Sequence, residues 1–585
     1  MRGHRLTAAQ FGTLAGGYGT ADALAVLHAG QLSKRRLLLQ ATAQRSDRLP
    51  STVRKRLDSA FDLIERVAVS AAPTAARLLR HPFLDAWATA CLRRLKSPDT
   101  ATPIPVDVEF GYLSGLAAAG AARAGIDFTL EIPTWDGSVL LPTLGLVDVP
   151  VSGVASVHGD RSGITVAVGD WVTHVPAPYD ADRGPWRSCR TVTVTPDLVL
   201  AIDDADPYGE CFRRDRVLGL APAELDRVEA SLATAWQLIE RDHPDYALGI
   251  AALLTSLVPL ASPEGGGSTS AASRLAAGAV SVCFPHDPAE LALLLIHEVQ
   301  HMKLGELLDL VDLYVEGGAP RHFAPWRADP RPVGALLQGV YAHLGVADFW
   351  RVRRRHLTGT DADRAEYEFV YWREQTSRAA RTLLDSGELT PLGVRFVEEL
   401  GRTLQRWREE PVGERVTDGV ADLLLASTVG WRLRNYLPSD GEPARLARAW
   451  LAGGGCGAIT PPDIATGSGP GSAKPPLVAE LITSLLRADG GTTTADSADS
   501  AYLAGDHEVA AAGYRDSISC PGDVDHAWIG LAMALRHVRA DRSAALVARP
   551  DLVRALHDEL RDGGEPADPG ELAAWLFPWL ESTGG

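Results

Sequence analysis

The chain has 585 residues, too many for one hydrophobic core at roughly 100–200 residues per domain, so several structural units are expected. Acidic residues outnumber basic ones 74 to 57, a formal net charge of -17, which argues against nucleic acid as the main partner. Six cysteines, at 91, 189, 211, 283, 456 and 520, have no CxxC spacing, which excludes an iron–sulfur or zinc-ribbon framework and points to a reducing compartment. The opening MRGHRLTAAQFGTLAGG lacks a continuous apolar segment, and no apolar run reaches the roughly 18–20 residues of a membrane helix. Neither a signal peptide nor a membrane partner is expected, and the chain reads as cytoplasmic. Its oligomeric state is not written in the sequence.

Residues 1–103 carry apolar residues at i, i+3, i+4 spacing and read as a helical N-terminal region. From 104 to 205 the texture is β-rich. DFTLEIPTWDGSVLLPTLGLVDV turns at Asp136-Gly137, a hairpin signal; a second hairpin is expected around Gly159 to Gly163, and RTVTVTPDLVLAIDD adds one or two strands. The acids Asp203, Asp204 and Asp206 that end it read as a strand-end loop, in preference to a metal site. Residues 206–437 read as the core. Helix over 222–260 is followed by SPEGGGSTSAAS, a flexible loop, then AGAVSVCF, a short buried strand. Next comes PHDPAELALLLIHEVQHMKLGELLDLVDLYV, a helix with Asp287 as N-cap, Pro288 at its first position and Glu290 completing a capping-box-like pair. Its apolar lead-in predicts burial nearly all round. More helices run to 437. A linker is expected over 438–476, marked by GGGCGAITPPDIATGSGPGSAKPP. Over 477–585, Tyr502, Leu503, Gly505, Ala510, Tyr514 and Pro521, then Trp528 and Leu531, follow tetratricopeptide-like spacing and predict a small helical repeat-like tail. The fold class is therefore α+β, mainly helical.

The chemistry sits in LLLIHEVQHMKL. In a helix, positions i and i+4 share a face, so His297 and His301 can grip one metal ion while Glu298 projects beside them as a base or as an orienting partner. A zinc peptidase needs a third protein ligand. The histidine and glycine of the metzincin pattern would fall at Leu307 and Leu304, so that pattern fails, and Glu306, Glu316 and Glu366 are carboxylates without a recognisable context. Downstream, GGAPRHFAPWRADPRP places Arg321, Arg327 and Arg331 near Trp326 among prolines that stiffen the loop. Arginine's planar fork suits a carboxylate, so the cluster suggests an anionic co-substrate. His343 follows in LLQGVYAHLGVADFW.

These segments, IHEVQH (296–301), PWRADPRP (325–332) and LLQGVYAHLGVADFW (336–350), resemble the actinobacterial HExxH peptide-modification proteins of ribosomal peptide gene clusters. That family is understood as iron(II)- and 2-oxoglutarate-dependent peptide β-hydroxylases. The likeness covers roughly residues 1–437. The chain lacks the CxxxCxxC of the radical-SAM fusions found among some relatives. The resemblance implies iron(II) at His297 and His301, with His343 as third ligand ahead of His322 and His356. It implies 2-oxoglutarate and O2 as co-substrates, Arg327 and Arg331, with Arg321 nearby, as cofactor-binding residues for the distal carboxylate, and a further hydrogen bond from Tyr341. Glu298 would then orient a ligand or relay a proton, and the substrate would be a ribosomal precursor peptide hydroxylated at a side-chain β-carbon. Two alternatives stay open: a zinc metallopeptidase that trims a precursor, and a metal-free peptide-binding module. No nucleophile elbow, P-loop or dinucleotide fingerprint is present.

Overall fold

A computed structural model describes residues 3–97, 104–196, 198–263, 267–465, 477–487, 497–519 and 524–581. The fold is α+β and mainly helical, with several small sheets. It forms two compact units, Met1–Asp312 and Leu313–Gly585. That division falls inside the stretch 206–437 read from the sequence as one core.

The first unit opens with α1 (Ala8–Ala15), α2 (Ala21–Gln44), α3 (Ser51–Ser70), α4 (Ala72–Leu79) and α5 (Leu84–Lys96). On α3, Val53, Leu57, Ala60, Leu63 and Val67 form one buried stripe, the period a surface helix needs. The stripe packs on α6 (Val106–Ala124), a helix that the β-rich reading of 104–205 missed. The reason lies in its sequence: from Glu109 to Ala122 every residue is buried, so no polar stripe advertises its period. Small residues let neighbours come close; a Cβ at Gly115 would strike the Leu140 carbonyl.

The strands follow as β1 (Phe128–Pro133), β2 (Ser138–Leu141), β3 (Gly145–Asp148), β4 (Val154–Gly159), β5 (Gly163–Val168), β6 (Trp171–Pro176), β7 (Trp186–Ser188), β8 (Arg190–Thr195) and β9 (Leu198–Ile202). Asp136 and Gly137 both have positive φ, +43° and +71°, the geometry of a tight primed turn, and Trp135 and Ser138 exchange both backbone hydrogen bonds across it. The turn does not join two strands of one sheet, however. β1 leaves to pair with β4 in the antiparallel sheet β1-β4-β5-β6, and β2 pairs with β3 in the sheet β2-β3-β7. β4–β5 is the hairpin expected around Gly159 to Gly163, and RTVTVTPDLVLAIDD supplies two strands, β8 and β9, which pair antiparallel.

Next come α7 (Pro222–Asp242), α8 (Pro244–Leu253), β10 (Ser256–Pro259), β11 (Ser270–Ala272), β12 (Ala279–Val282) and α9 (Pro288–Leu308). A five-stranded sheet, ordered β11-β12-β10-β9-β8, has β9, β10 and β12 parallel and antiparallel strands at both edges. β10 and β12 are buried at every position, as central parallel strands must be. α9 packs on α2, α7, α8, β11 and β12.

The second unit contains α10 (Val333–Arg353), α11 (Thr360–Asp385), α12 (Pro391–Arg408) and α13 (Glu414–Asn435). The stretch expected as a linker is structured in its first part: α14 (Glu442–Leu451) lies within it, and Tyr436–Leu437 pairs antiparallel with Asp463–Ile464. Arg445 binds the carbonyls of Cys456 and Ala458, and the Thr460 amide donates to Glu442, so the glycine-rich turns are tied down by side chains far away in sequence. In the tail, α15 (Leu477–Arg487), α16 (Ser497–Leu503), α17 (His507–Ile518) and α18 (Val524–Val538) precede α19 (Ala540–Ala548), α20 (Pro550–Asp562) and α21 (Pro569–Glu581). Tyr502, Ala510, Tyr514, Trp528 and Leu531 are buried between successive helices, as the repeat spacing predicts; Pro521 lies outside the described residues. Among the described residues no helix is long and apolar enough to cross a membrane.

Candidate metal centre

The Asp287 carboxylate accepts a hydrogen bond from the Ala289 amide at 2.8 Å and Pro288 occupies the first turn, so α9 starts where its sequence says, but Asp287 bonds the second amide rather than that of Glu290 and the expected capping-box pair does not form. From Leu291 to Leu308 none of its residues is exposed. His297 and His301 are among the few only half-buried there. Their rings stand edge to face with centroids 4.9 Å apart, on one side of the helix. His297 Nε2 lies 3.9 Å from Glu298 Oε1.

Glu298 is turned inward. Its Oε1 accepts from the Ser270 hydroxyl at 2.6 Å, and Oε2 has no hydrogen-bond partner. Burial raises its carboxyl above the ordinary range; His301, the Ser270 hydroxyl and the Ala272 amide pull the other way without cancelling that cost. Ser270 and Ala272 belong to β11, inside the stretch read as a flexible loop. A three-residue strand of small side chains carries no periodic signal, and only the serine-rich run hinted that hydroxyls were at hand.

The rest of α9 serves the fold. Lys303 is buried, its Nζ donates to the carbonyls of Gly17 and Tyr18 just beyond α1, and burial lowers its pKa to about 7. Glu306 is buried with Oε2 unpartnered, and burial pushes its carboxyl up to about 8. Nine residues past His297, it faces about 180° away from the pair at 100° per residue, so Glu306 is no third ligand. Two imidazoles on one helix face fit two protein ligands of a mononuclear iron or zinc ion. Among the described residues no group of three or more His, Cys, Asp or Glu is arranged to hold a metal.

The remaining expected site residues belong to the second unit. His343, on α10, is buried between two indoles: Trp326 stacks at 4.1 Å and 13°, and Trp372 lies at 4.7 Å and 37°. Its Nδ1 is 2.8 Å from the Gly339 carbonyl, which only accepts, so Nδ1 is the donor there. Gly339 has a steric duty as well, because a Cβ there would run into the Trp326 indole. Tyr341 is two residues from His343, about 200° around α10, and its ring packs on Phe396 of α12. The structure therefore does not bring Tyr341 and His343 together, and burial alone pushes the Tyr341 hydroxyl far above its ordinary pKa.

The arginine loop is closed by a bridge between His322 and Arg331. Arg327 and Arg331 both hold Asp329, at 2.8 and 3.0 Å, and Arg321 holds Glu388 at 2.6 Å, with His322 on the same carboxylate at 2.8 Å. Burial alone would raise the Asp329 carboxyl, but the bonds from Arg327 and Arg331 outweigh it and keep it below the usual range. Each of the three arginines thus has a carboxylate of the chain itself. No protein-family model matches the chain, and no curated protein was found to be similar to it.

Proposed function

We propose that the chain is an iron(II)- and 2-oxoglutarate-dependent oxygenase that hydroxylates a side-chain β-carbon of a ribosomally made precursor peptide. The observation that carries this reading is the pair His297 and His301, half-open on one side of a largely buried helix, with Glu298 withdrawn to Ser270. Bound iron would supply oxygen activation, with 2-oxoglutarate as the source of two electrons. The chain's own part is to hold the metal through the two imidazoles and to fix the α9–β11 junction behind them. A carboxylate held by a serine and a strand amide suits an orienting role better than attack through water.

A specific observation favours zinc peptidase chemistry as the second reading. Glu298 Oε1 is close to His297 Nε2 and its carboxyl is raised, as a general base requires, while the loop arginines are already paired with Asp329 and Glu388, so that 2-oxoglutarate would compete with Asp329 for Arg327 and Arg331. One titration separates the two. Oxygen-free apo-protein receives iron(II) and then 2-oxoglutarate, and the weak visible charge-transfer band of a chelated keto acid is recorded. A band that vanishes in His297→Ala is expected. No band, together with tightly held zinc and cleavage of a peptide, transfers the site to the peptidase reading. The third ligand that the resemblance names is tested separately, by iron affinity in His343→Ala.

A further inference from the structure

The first unit holds a cavity of about 260 Å³ between the sheet β2-β3-β7 and the segment that follows β9. It contains neither His297 nor His301. Trp135, Leu146 and Cys189 line it together with the acids Asp136, Asp203, Asp204, Asp206 and Glu210. Leu218, largely exposed, stands at its edge.

Three of these acids are held in place from behind. Asp206 is buried; its Oδ2 accepts from the Tyr112 hydroxyl at 2.6 Å and lies 3.2 Å from His81 Nε2, and its Oδ1 accepts from the Tyr208 amide at 2.9 Å. His81 and Tyr112 are themselves buried. Asp203 Oδ1 accepts from the Asp206 amide and Asp204 Oδ2 from the Leu220 amide, so both carboxylates are held by backbone.

Charge is left unbalanced here. Three arginines line the cavity, but Arg187 pairs with Asp148, Arg190 binds the Leu220 carbonyl and Asp182, and Arg216 binds the Asp206 carbonyl. None is ion-paired with Asp203. Burial, with Asp206 and Asp204 beside it, pushes the Asp203 carboxyl up against the opposing pull of His81 and the Asp206 amide. A metal ion fits poorly, because among the described residues no group of three or more ligating side chains is arranged for one. Leu146 and the Trp135 indole instead suit the stem and head of an organic cation.

We propose that this cavity binds an organic cation, a primary ammonium on a short apolar stem, with Asp203 as its counter-ion. The ligand is either the lysine side chain of a peptide or a free alkylamine, and the two share this chemistry. The site is independent of the metal reading.

The test is calorimetric titration of the full chain at pH 7.5 with three probes: N-acetyl-lysine methylamide, cadaverine, and neutral N-acetyl-norleucine methylamide. The lysine amide is expected to bind at least tenfold more tightly than the norleucine amide. Equal or tighter binding of cadaverine assigns the site to free amines; weaker binding assigns it to a peptide side chain. Asp203→Asn should remove at least tenfold of the affinity. Leu218→Lys, at an exposed position, should block binding by supplying its own ammonium. Absence of cation preference, or unchanged affinity in folded Asp203→Asn, overturns the proposal.

Discussion

α9 and α10 are both buried helices of 21 residues that carry histidine, and they treat it in opposite ways. On α9 two imidazoles meet edge to face at half-buried positions of the helix, beside a carboxylate. On α10 a single imidazole is enclosed by two indoles and tied to its own helix through Gly339. The first environment gives packing little to gain from histidine. The second gives His343 a structural reason to be there before any metal is considered.

The largest effect that sharpens this contrast is on metal affinity. His297→Ala and His301→Ala should each weaken iron(II) binding by more than the roughly 10–100-fold that loss of an outer-shell partner costs, with little change in thermal stability, because neither ring is deeply packed. Metal content after dialysis and the melting temperature together check it. A large fall in stability with unchanged metal binding would put the α9 pair in the same class as His343.

His343→Ala should act the other way round on stability. It empties a slot between Trp326 and Trp372 and is expected to cost about 2–4 kcal/mol in denaturant unfolding. His343→Phe keeps the stack but removes Nε2, so it should recover part of that stability. If His343 is also a ligand, iron affinity stays low in the Phe variant; if it is only packing, affinity stays as in the wild type.

The contrast also shows what was readable in the sequence. The start of α9 and its histidine pair follow from neighbours within one turn or two: Asp287, Pro288 and the four-residue spacing. The helical character of the tail was legible for the same reason. The surroundings of His343 were not, since Trp326 and Trp372 come from 17 residues before it and 29 after it. Arg321 finds Glu388 67 positions away, which no local pattern announces. Ser270 was hidden because a short strand of small residues looks like a loop, and α6 because a helix buried on every side has no amphipathic period.

Glu306 gives a pH test on the face of α9 away from the pair. Its carboxyl titrates at about 8 in the folded chain against an ordinary 4.5. The unfolded chain ionises above 4.5 while the folded chain keeps the proton, so this group's contribution is full below 4.5 and is lost as pH rises towards 8. Glu306→Gln cannot ionise. Its stability relative to the wild type should therefore climb from pH 4.5 to pH 8, reaching on the order of 4 kcal/mol. Thermal unfolding of both proteins across that range checks the sign, and a flat difference would mean that Glu306 is charged in the fold.

The smallest expected effect is at the junction behind the histidines. Ser270→Ala removes the hydroxyl that donates to Glu298 Oε1 at 2.6 Å and leaves both carboxylate oxygens without a side-chain donor. Breaking one hydrogen bond to a buried acid should cost about 1–3 kcal/mol, towards the lower end here because the Ala272 amide still supports the carboxylate. Ser270→Thr keeps the hydroxyl and should restore most of that loss. If Glu298 orients the His297 ring, Ser270→Ala also weakens metal binding by several-fold, and Ser270→Thr rescues it. Lower stability with metal affinity untouched would leave Glu298 as a clamp between α9 and β11 and nothing more, and would make the His pair the whole of this unit's contribution to the metal.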